Sequence, residues 1–179
     1  MNIDVKFQEG LTIIKEKVIK GRKHLGIGKK KFGILCGGLS ETFIRKLEQG
    51  EANPTIKTLV KLKNGLNTTI PEIITRNRIG ISSKSITLLK EESYEESKKN
   101  FSTRVKKILS HRGINSIDFS ACLNMDESAT NKYLKGTENP TYLMMLRFAY
   151  VLDVNVVDFF DYKGQLPSND KFKRRYLNP

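Results

Sequence analysis

Cysteine and histidine are scarce in this 179-residue chain, with two of each. Cys36 and Cys122 are too few for a disulfide scaffold or a four-cysteine metal site. His24 and His111 have no metal-ligand neighbour at i+3 or i+4, and both are read as ordinary surface or interface residues. No apolar run approaches the roughly 18 residues of a transmembrane helix. The opening Met1-Asn2-Ile3-Asp4-Val5-Lys6 has no basic stretch followed by an apolar one, so no signal peptide is expected. These absences lead to the expectation of a soluble cytoplasmic protein in a reducing compartment. Chemistry is equally thin. Gly26-Ile27-Gly28-Lys29-Lys30-Lys31 is rich in Gly and Lys but lacks the spacing of a phosphate-binding loop. The acidic run Glu91-Glu92-Ser93-Tyr94-Glu95-Glu96 is read as solubilising. No catalytic group, metal or cofactor is assigned, and the chain is not read as an enzyme. Strand signals are weak: period-2 alternation is sparse, and no Asn-Gly or Asp-Gly hairpin occurs.

Positive charge is what the chain has in excess. Lys and Arg number 32 against 19 Asp and Glu, a formal net charge of +13. That balance favours nucleic acid or another polyanion as partner and carries no information about fold. Residues 1–80 contribute net +9, residues 81–100 nothing and residues 101–179 net +4. Local runs stand at Lys29-Lys30-Lys31 and at Lys171-Phe172-Lys173-Arg174-Arg175-Tyr176. Hydrophobic residues make up 38% of the chain, enough for one or two modest cores.

An internal repeat organises these features. Lys46-Leu47-Glu48-Gln49-Gly50-Glu51-Ala52-Asn53-Pro54-Thr55 and Lys132-Tyr133-Leu134-Lys135-Gly136-Thr137-Glu138-Asn139-Pro140-Thr141 share Lys, Gly, Asn, Pro and Thr at an offset of 86. Downstream, Ile56, Leu59, Val60, Leu62 and Leu66 meet Tyr142, Met145, Leu146, Phe148 and Leu152. Upstream the offset is 87, where Ile14, Val18, Gly26, Ile27 and Phe32 meet Phe101, Val105, Gly113, Ile114 and Phe119. The first copy therefore has one extra residue, placed at Gly37-Gly38. Apolar positions after Pro54 and Pro140 fall at three- and four-residue spacing, the mark of a helix with one buried face. Ser40, Thr55, Asp126 and Thr141 are expected N-caps, and Gly50 and Gly136 the left-handed residues that end helices. About five short helices per copy are predicted.

Leu39 to Pro54, with Ser40, Ile44, Leu47, Glu48, Gly50, Asn53 and Pro54, resembles the phage-repressor/Cro-type (XRE-type) helix-turn-helix family. The second copy keeps Gly136, Asn139 and Pro140. It departs from the pattern at Asn124-Met125-Asp126, at Thr130 in place of the buried Ile, and at Leu134 in place of the Glu. The resemblance covers roughly residues 10–76 and 100–162. It implies an all-α fold of two lambda-repressor-like five-helix helix-turn-helix domains in tandem. The expected boundaries are 1–77, a linker at 78–98, a more divergent domain at 99–163, and a basic tail at 164–179. Its implied function is that of a bacterial or phage-type transcriptional regulator that reads double-stranded DNA.

The residues make physical sense beside the family. Gly33 and Ser120 are small, in the slot where the motif's helices approach closely. Ile44 and Leu47 point inward from the Ser40–Gln49 helix, which leaves Glu41, Thr42, Arg45 and Lys46 outward. Such a face suits a major groove, where Lys or Arg donates to guanine, Glu accepts from cytosine and Thr touches a base or a methyl group. The family's contact positions carried over are Glu41, Thr42 and Lys46, and Glu127, Ser128 and Lys132 in the second copy; Ser40, Arg45 and Asn131 complete the base-reading candidates. Phosphate candidates are Lys29, Lys30 and Lys31, with Asn115 and Ser116 in the second copy. The second copy, whose recognition helix starts Asp126-Glu127, is read either as a weak DNA binder or as a packing and dimerisation module.

Cys36 and Cys122 are expected to be buried structural thiols. Residues 78–98 are read as a solvated linker with one apolar patch, Ile86-Thr87-Leu88-Leu89, and with helical tendency over Glu91–Lys99. The rival to DNA reading is an antitoxin-like or scaffold module with only non-specific DNA binding, a partner protein docking on the linker patch. A homodimer through the second copy or the linker is a further expectation. RNA binding is disfavoured because the stacked-aromatic platform of single-strand readers is missing.

Overall fold

The computed structural model describes residues 2–76, 81 and 83–168. Among them the chain is all-α, as expected. The N-terminal half forms α1 (Ile3–His24), α2 (Lys29–Leu35), α3 (Glu41–Gln49), α4 (Ile56–Leu66) and α5 (Ile70–Ile74). After α6 (Ser83–Glu91), the C-terminal half forms α7 (Tyr94–Arg112), α8 (Ser116–Leu123), α9 (Glu127–Lys135), α10 (Tyr142–Val151) and a short 3-10 helix, Val156–Phe159. The fifth element of the second half is thus a 3-10 turn rather than an α-helix. The basic cluster Lys171–Tyr176 lies outside the described residues.

Local chemistry sets the helix ends. The hydroxyls of Ser40, Thr55 and Thr141 accept from the N–H groups of Phe43, Thr58 and Met144. Each such cap contributes about 1 kcal/mol. Asp126 occupies the N-cap of α9 but makes no side-chain capping bond. Gly50 (φ 80°) and Gly136 (φ 72°) end α3 and α9 in the left-handed region, where a Cβ would be strained. Ser93 and Glu96 form a capping box that starts α7 five residues before the expected boundary at 99.

The core runs through both halves. Ile14, Val18, Phe32, Ile44, Leu59 and Leu62 are buried in the first. The second is aromatic: Phe101 packs against Phe148, Phe159 and Phe160, and Phe119 lies edge-on to Phe148.

The halves meet at the Asn-Pro-Thr segments. The Ile56 N–H donates to the Pro140 carbonyl (3.0 Å) and the Tyr142 N–H to the Pro54 carbonyl (2.7 Å). Outside these, the Lys57 N–H donates to Asn139 Oδ1 (3.2 Å) and the Leu143 N–H to Asn53 Oδ1 (3.1 Å). Every donor and acceptor in this set is exchanged at the same offset of 86, around an antiparallel bridge between Thr55 and Thr141. The helices follow suit: α1 packs on α10, and α7 on α4. Phe7 stacks on Tyr142 (centroids 6.3 Å apart), while Lys57 Nζ sits 5.4 Å from the centre of the Tyr94 ring. Gly10 lies directly against the Tyr142 ring, with no room for a Cβ.

The stretch 78–98 is not a bare solvated coil where it is described. Ser85 and Leu89 of α6 are buried, and so is Glu92. Ser85 Oγ donates to Asp161 Oδ1 (2.7 Å) and accepts from the Lys163 N–H (2.9 Å). Lys63, buried in α4, donates through Nζ to the carbonyls of Leu89, Lys90 and Glu92 at 2.5, 3.2 and 2.8 Å. It satisfies carbonyls that the end of a helix leaves without partners. The Glu92 carboxylate accepts from Asn100 Nδ2 (3.2 Å) and the Tyr162 hydroxyl (3.3 Å). Burial pushes that carboxyl above its ordinary range, only partly offset by the hydrogen bonds from Asn100 and Tyr162 and by the charge of Lys63. Glu92 is therefore a structural acid, not part of a solubilising run. Of the apolar patch, Leu89 is buried, while Ile86 and Leu88 face solvent. Arg104, also buried, ties down the following segment by donating to the carbonyls of Asp158, Gly164 and Gln165.

Candidate nucleic-acid interface

The α2–turn–α3 corner is built around a close approach. Gly33 has no room for a Cβ because the Leu39 carbonyl oxygen occupies that space. The Gly38 and Leu39 N–H groups both donate to the Gly33 carbonyl (3.1 and 2.9 Å). Gly37 and Gly38 are both left-handed (φ 66° and 82°), while the corresponding turn in the second half needs one such residue, Asn124 (φ 52°). The extra residue falls where the repeat places it.

On α3, Ile44 and Leu47 are buried, and Glu41, Thr42, Arg45 and Lys46 are exposed, as is the cap Ser40. Lys30 and Lys31 are exposed at the start of α2. Lys29 is not a simple solvated lysine, since its Nζ pairs with Glu48 Oε2 at 3.3 Å. Glu48 also takes Arg22 Nε on Oε1 (2.6 Å) and Arg22 Nη2 on Oε2 (3.4 Å). Arg22 Nη1 donates to the Ile27 carbonyl (3.0 Å). This network bolts the back of α3 to the end of α1 and to the loop before α2. Burial pushes the Glu48 carboxyl up, but the hydrogen bonds from Arg22 and Lys29 outweigh it and hold the carboxyl below its ordinary range.

In the second half the same positions are apolar. Leu109 stands for Arg22 and Leu134 for Glu48, and both are buried. Thr130, where Ile44 sits in the first half, is buried and donates to the Asp126 carbonyl (3.1 Å). Glu127, Ser128 and Lys132 are exposed and Asn131 is half-buried. Glu127 Oε1 takes Asn131 Nδ2 (3.4 Å) and, at the limit of bonding distance, Ser116 Oγ (3.5 Å). Asn115 spends its Oδ1 on capping α8, accepting from the Asp118 N–H at 2.8 Å. Where the first half has Lys29-Lys30-Lys31, the second has Ser116-Ile117-Asp118, with Ile117 and Asp118 exposed.

Sequence reasoning did not find the Arg22–Glu48–Lys29 network. Its signal was available in the repeat, where one ion pair is replaced by two leucines together. The thiols need a correction as well. Cys36 is buried, and burial pushes its thiol up to about 11, which suits a structural residue. Cys122 is exposed. At the upstream offset Cys36 corresponds to Leu123, and Cys122 to the exposed Leu35, so Cys122 falls off the buried face of α8.

Among the described residues no helix is long and apolar enough to cross a membrane. No group of three or more His, Cys, Asp or Glu among them is placed to hold a metal ion. Comparison with family models and with solved structures gives no match. Among curated proteins the chain is similar to control protein C.SmaI of Serratia marcescens, at 32% identity over 73 residues. The match takes in 41% of this chain and 86% of that protein. With its helix-turn-helix corner at α2–α3 and a relative matched over 86% of that relative's length, the chain belongs to the control-protein family of helix-turn-helix regulators.

Proposed function

We propose that this protein is a cytoplasmic, sequence-specific regulator of transcription that binds double-stranded DNA. In this reading residues 1–77 and 99–163 are tandem helix-turn-helix units, joined through 78–98 and followed by the tail 164–179. Helix α3 enters a major groove, and α9 is its counterpart. The observation that carries the reading is the outward face of α3. Glu41, Thr42, Arg45 and Lys46 project from a helix whose Ile44 and Leu47 are locked in the core. Side chains on a rigidly held helix can be matched to base edges. Lys30 and Lys31 stand at the neighbouring start of α2, where cations and helix amides favour phosphate. Ser40 and Arg45 extend the reading face, while Lys29 serves mainly to hold Glu48.

The test is selection of bound sites from a random duplex pool at about 150 mM salt, where non-specific contact is weakened. Enrichment of a defined site supports the reading. Binding without enrichment, lost as salt rises, rejects it. That outcome favours the interaction-module reading, for which exposed Ile86 and Leu88 on α6 are the relevant observation.

A further inference from the structure

We propose that a single chain occupies a whole operator as an internal pseudo-dimer, and that its two half-sites are read unequally, stringently under α3 and permissively under α9. This rests on the DNA-reading function proposed above. The stoichiometry follows from the seam between the halves. Two-fold homodimers use one patch against itself, so that contact i–j is matched by contact j–i. The Asn-Pro-Thr segments meet that criterion inside one chain, at a constant offset of 86: Pro54 with Tyr142 and Pro140 with Ile56, Asn53 with Leu143 and Asn139 with Lys57. An antiparallel bridge, here Thr55 with Thr141, has a local two-fold axis at its centre. The first helix of each half lies on the fourth helix of the other, which extends the two-fold relation beyond the bridge. The surface that would otherwise recruit a second copy is occupied internally. Helix α6 is fixed as well, by Lys63 on its end and by Ser85 on Asp161 and Lys163. The two corners are held in one relation rather than strung on a loose tether.

The inequality follows from the two faces. The first half presents Lys30, Lys31, Arg45 and Lys46 as exposed cations beside the single acid Glu41. The second presents Asp118, Asp126 and Glu127 as exposed acids, against Lys132 and Lys135 on α9. Glu127 is further engaged by Asn131, so two of the four reading candidates on α9 face each other. Phosphate attraction, the sequence-independent part of affinity, is concentrated in the first half.

The experiment uses the full chain and a duplex of roughly three helical turns, long enough for two half-sites one turn apart, carrying the site enriched from the random pool. Native mass spectrometry at saturation reads the number of chains per duplex, and titrations with either half-site scrambled read the two contributions. One chain per duplex is expected. Scrambling one half is expected to lower affinity about 100-fold and scrambling the other less than about 10-fold, within the range mismatches produce. Lys46→Ala should remove sensitivity to the costly half only. Ser116→Lys with Asp118→Lys should steepen the salt slope by about two counter-ions. Two chains per duplex, or equal losses for the two halves, overturns the proposal while leaving DNA reading intact. Absence of any enriched site overturns the DNA reading and this proposal with it.

Discussion

Glu48 joins three parts of the first half through one carboxylate, and the second half solves the same problem with Leu109 and Leu134. That swap predicts a double-mutant result. Arg22→Leu alone leaves Glu48 half-paired in a partly buried site and should destabilise by about 1–3 kcal/mol. Arg22→Leu with Glu48→Leu copies the second half and should return to within about 1 kcal/mol of the parent, as apolar replacements of ion pairs often do. Chemical denaturation of the four proteins measures the cycle, and an additive result would refute the coupling. The sign of the pH dependence is fixed by the direction of the Glu48 shift. Its folded-state carboxyl titrates below the unfolded value of 4.5, so the stabilisation is present above that value and is lost as pH falls through the folded pKa. The melting temperature of the parent minus that of Glu48→Gln should therefore shrink in that acidic window and stay constant near neutrality. On the opposite face of the same helix, Lys46→Ala should cost about 1–3 kcal/mol on the selected site and almost nothing on random duplex, measured by competition titration. Changing Lys30 and Lys31 to Ala should weaken both alike.

At the scale of elements, α6 is short, and of its apolar residues it buries Leu89 while Ile86 and Leu88 stay exposed. Isolated, a helix of nine residues would be marginal in water. What holds it is Lys63, whose ammonium meets three carbonyls from Leu89 to Glu92. Burial lowers the Lys63 pKa, with the charges of Glu92 and Glu96 opposing the shift. Lys63→Met keeps the buried stem and removes the donors. The expected outcome is a loss of about 2 kcal/mol and faster amide exchange confined to α6 and the start of α7. Unchanged exchange there would show that Leu89 and Ser85 suffice. The composition of residues 78–98, rich in Ser, Lys and Glu, suggested a solvated linker. Composition misled because the decisive partners, Lys63, Tyr162 and Asp161, come from elements remote in sequence.

At the scale of the whole molecule, the two halves form one body through the Asn-Pro-Thr seam and the α1–α10 and α7–α4 contacts. Gly10 lets α1 lie directly against the Tyr142 ring. Gly10→Val should wedge that seam open, with a loss of about 1–3 kcal/mol typical of overpacking and a broader thermal transition as the halves uncouple. Calorimetry would read it. A sharp transition at the parent's midpoint would mean that the seam contributes nothing to cooperativity. Phe7 and Tyr94, equivalent in the repeat, each lie against the start of the fourth helix of the opposite half, at Tyr142 and Lys57.

The sequence by itself determined the first four helices of each half, the caps at Ser40, Thr55 and Thr141, and the corner. These depend on neighbours within a few residues: Ser40 three before Phe43, Gly50 ending α3, and the inward spacing of Ile44 and Leu47. It also determined the outward face of α3, because helical periodicity divides buried from exposed without knowledge of what does the burying. Only the tertiary structure decided that Lys29 serves Glu48, that Cys122 is exposed, that α6 is clamped, and that Asn53-Pro54-Thr55 pairs with Asn139-Pro140-Thr141. All but the exposure of Cys122 are contacts between residues far apart in the chain. Local propensity and charge count carry no distance information, so the same lysine reads alike whether it faces solvent, a carboxylate or the end of a helix.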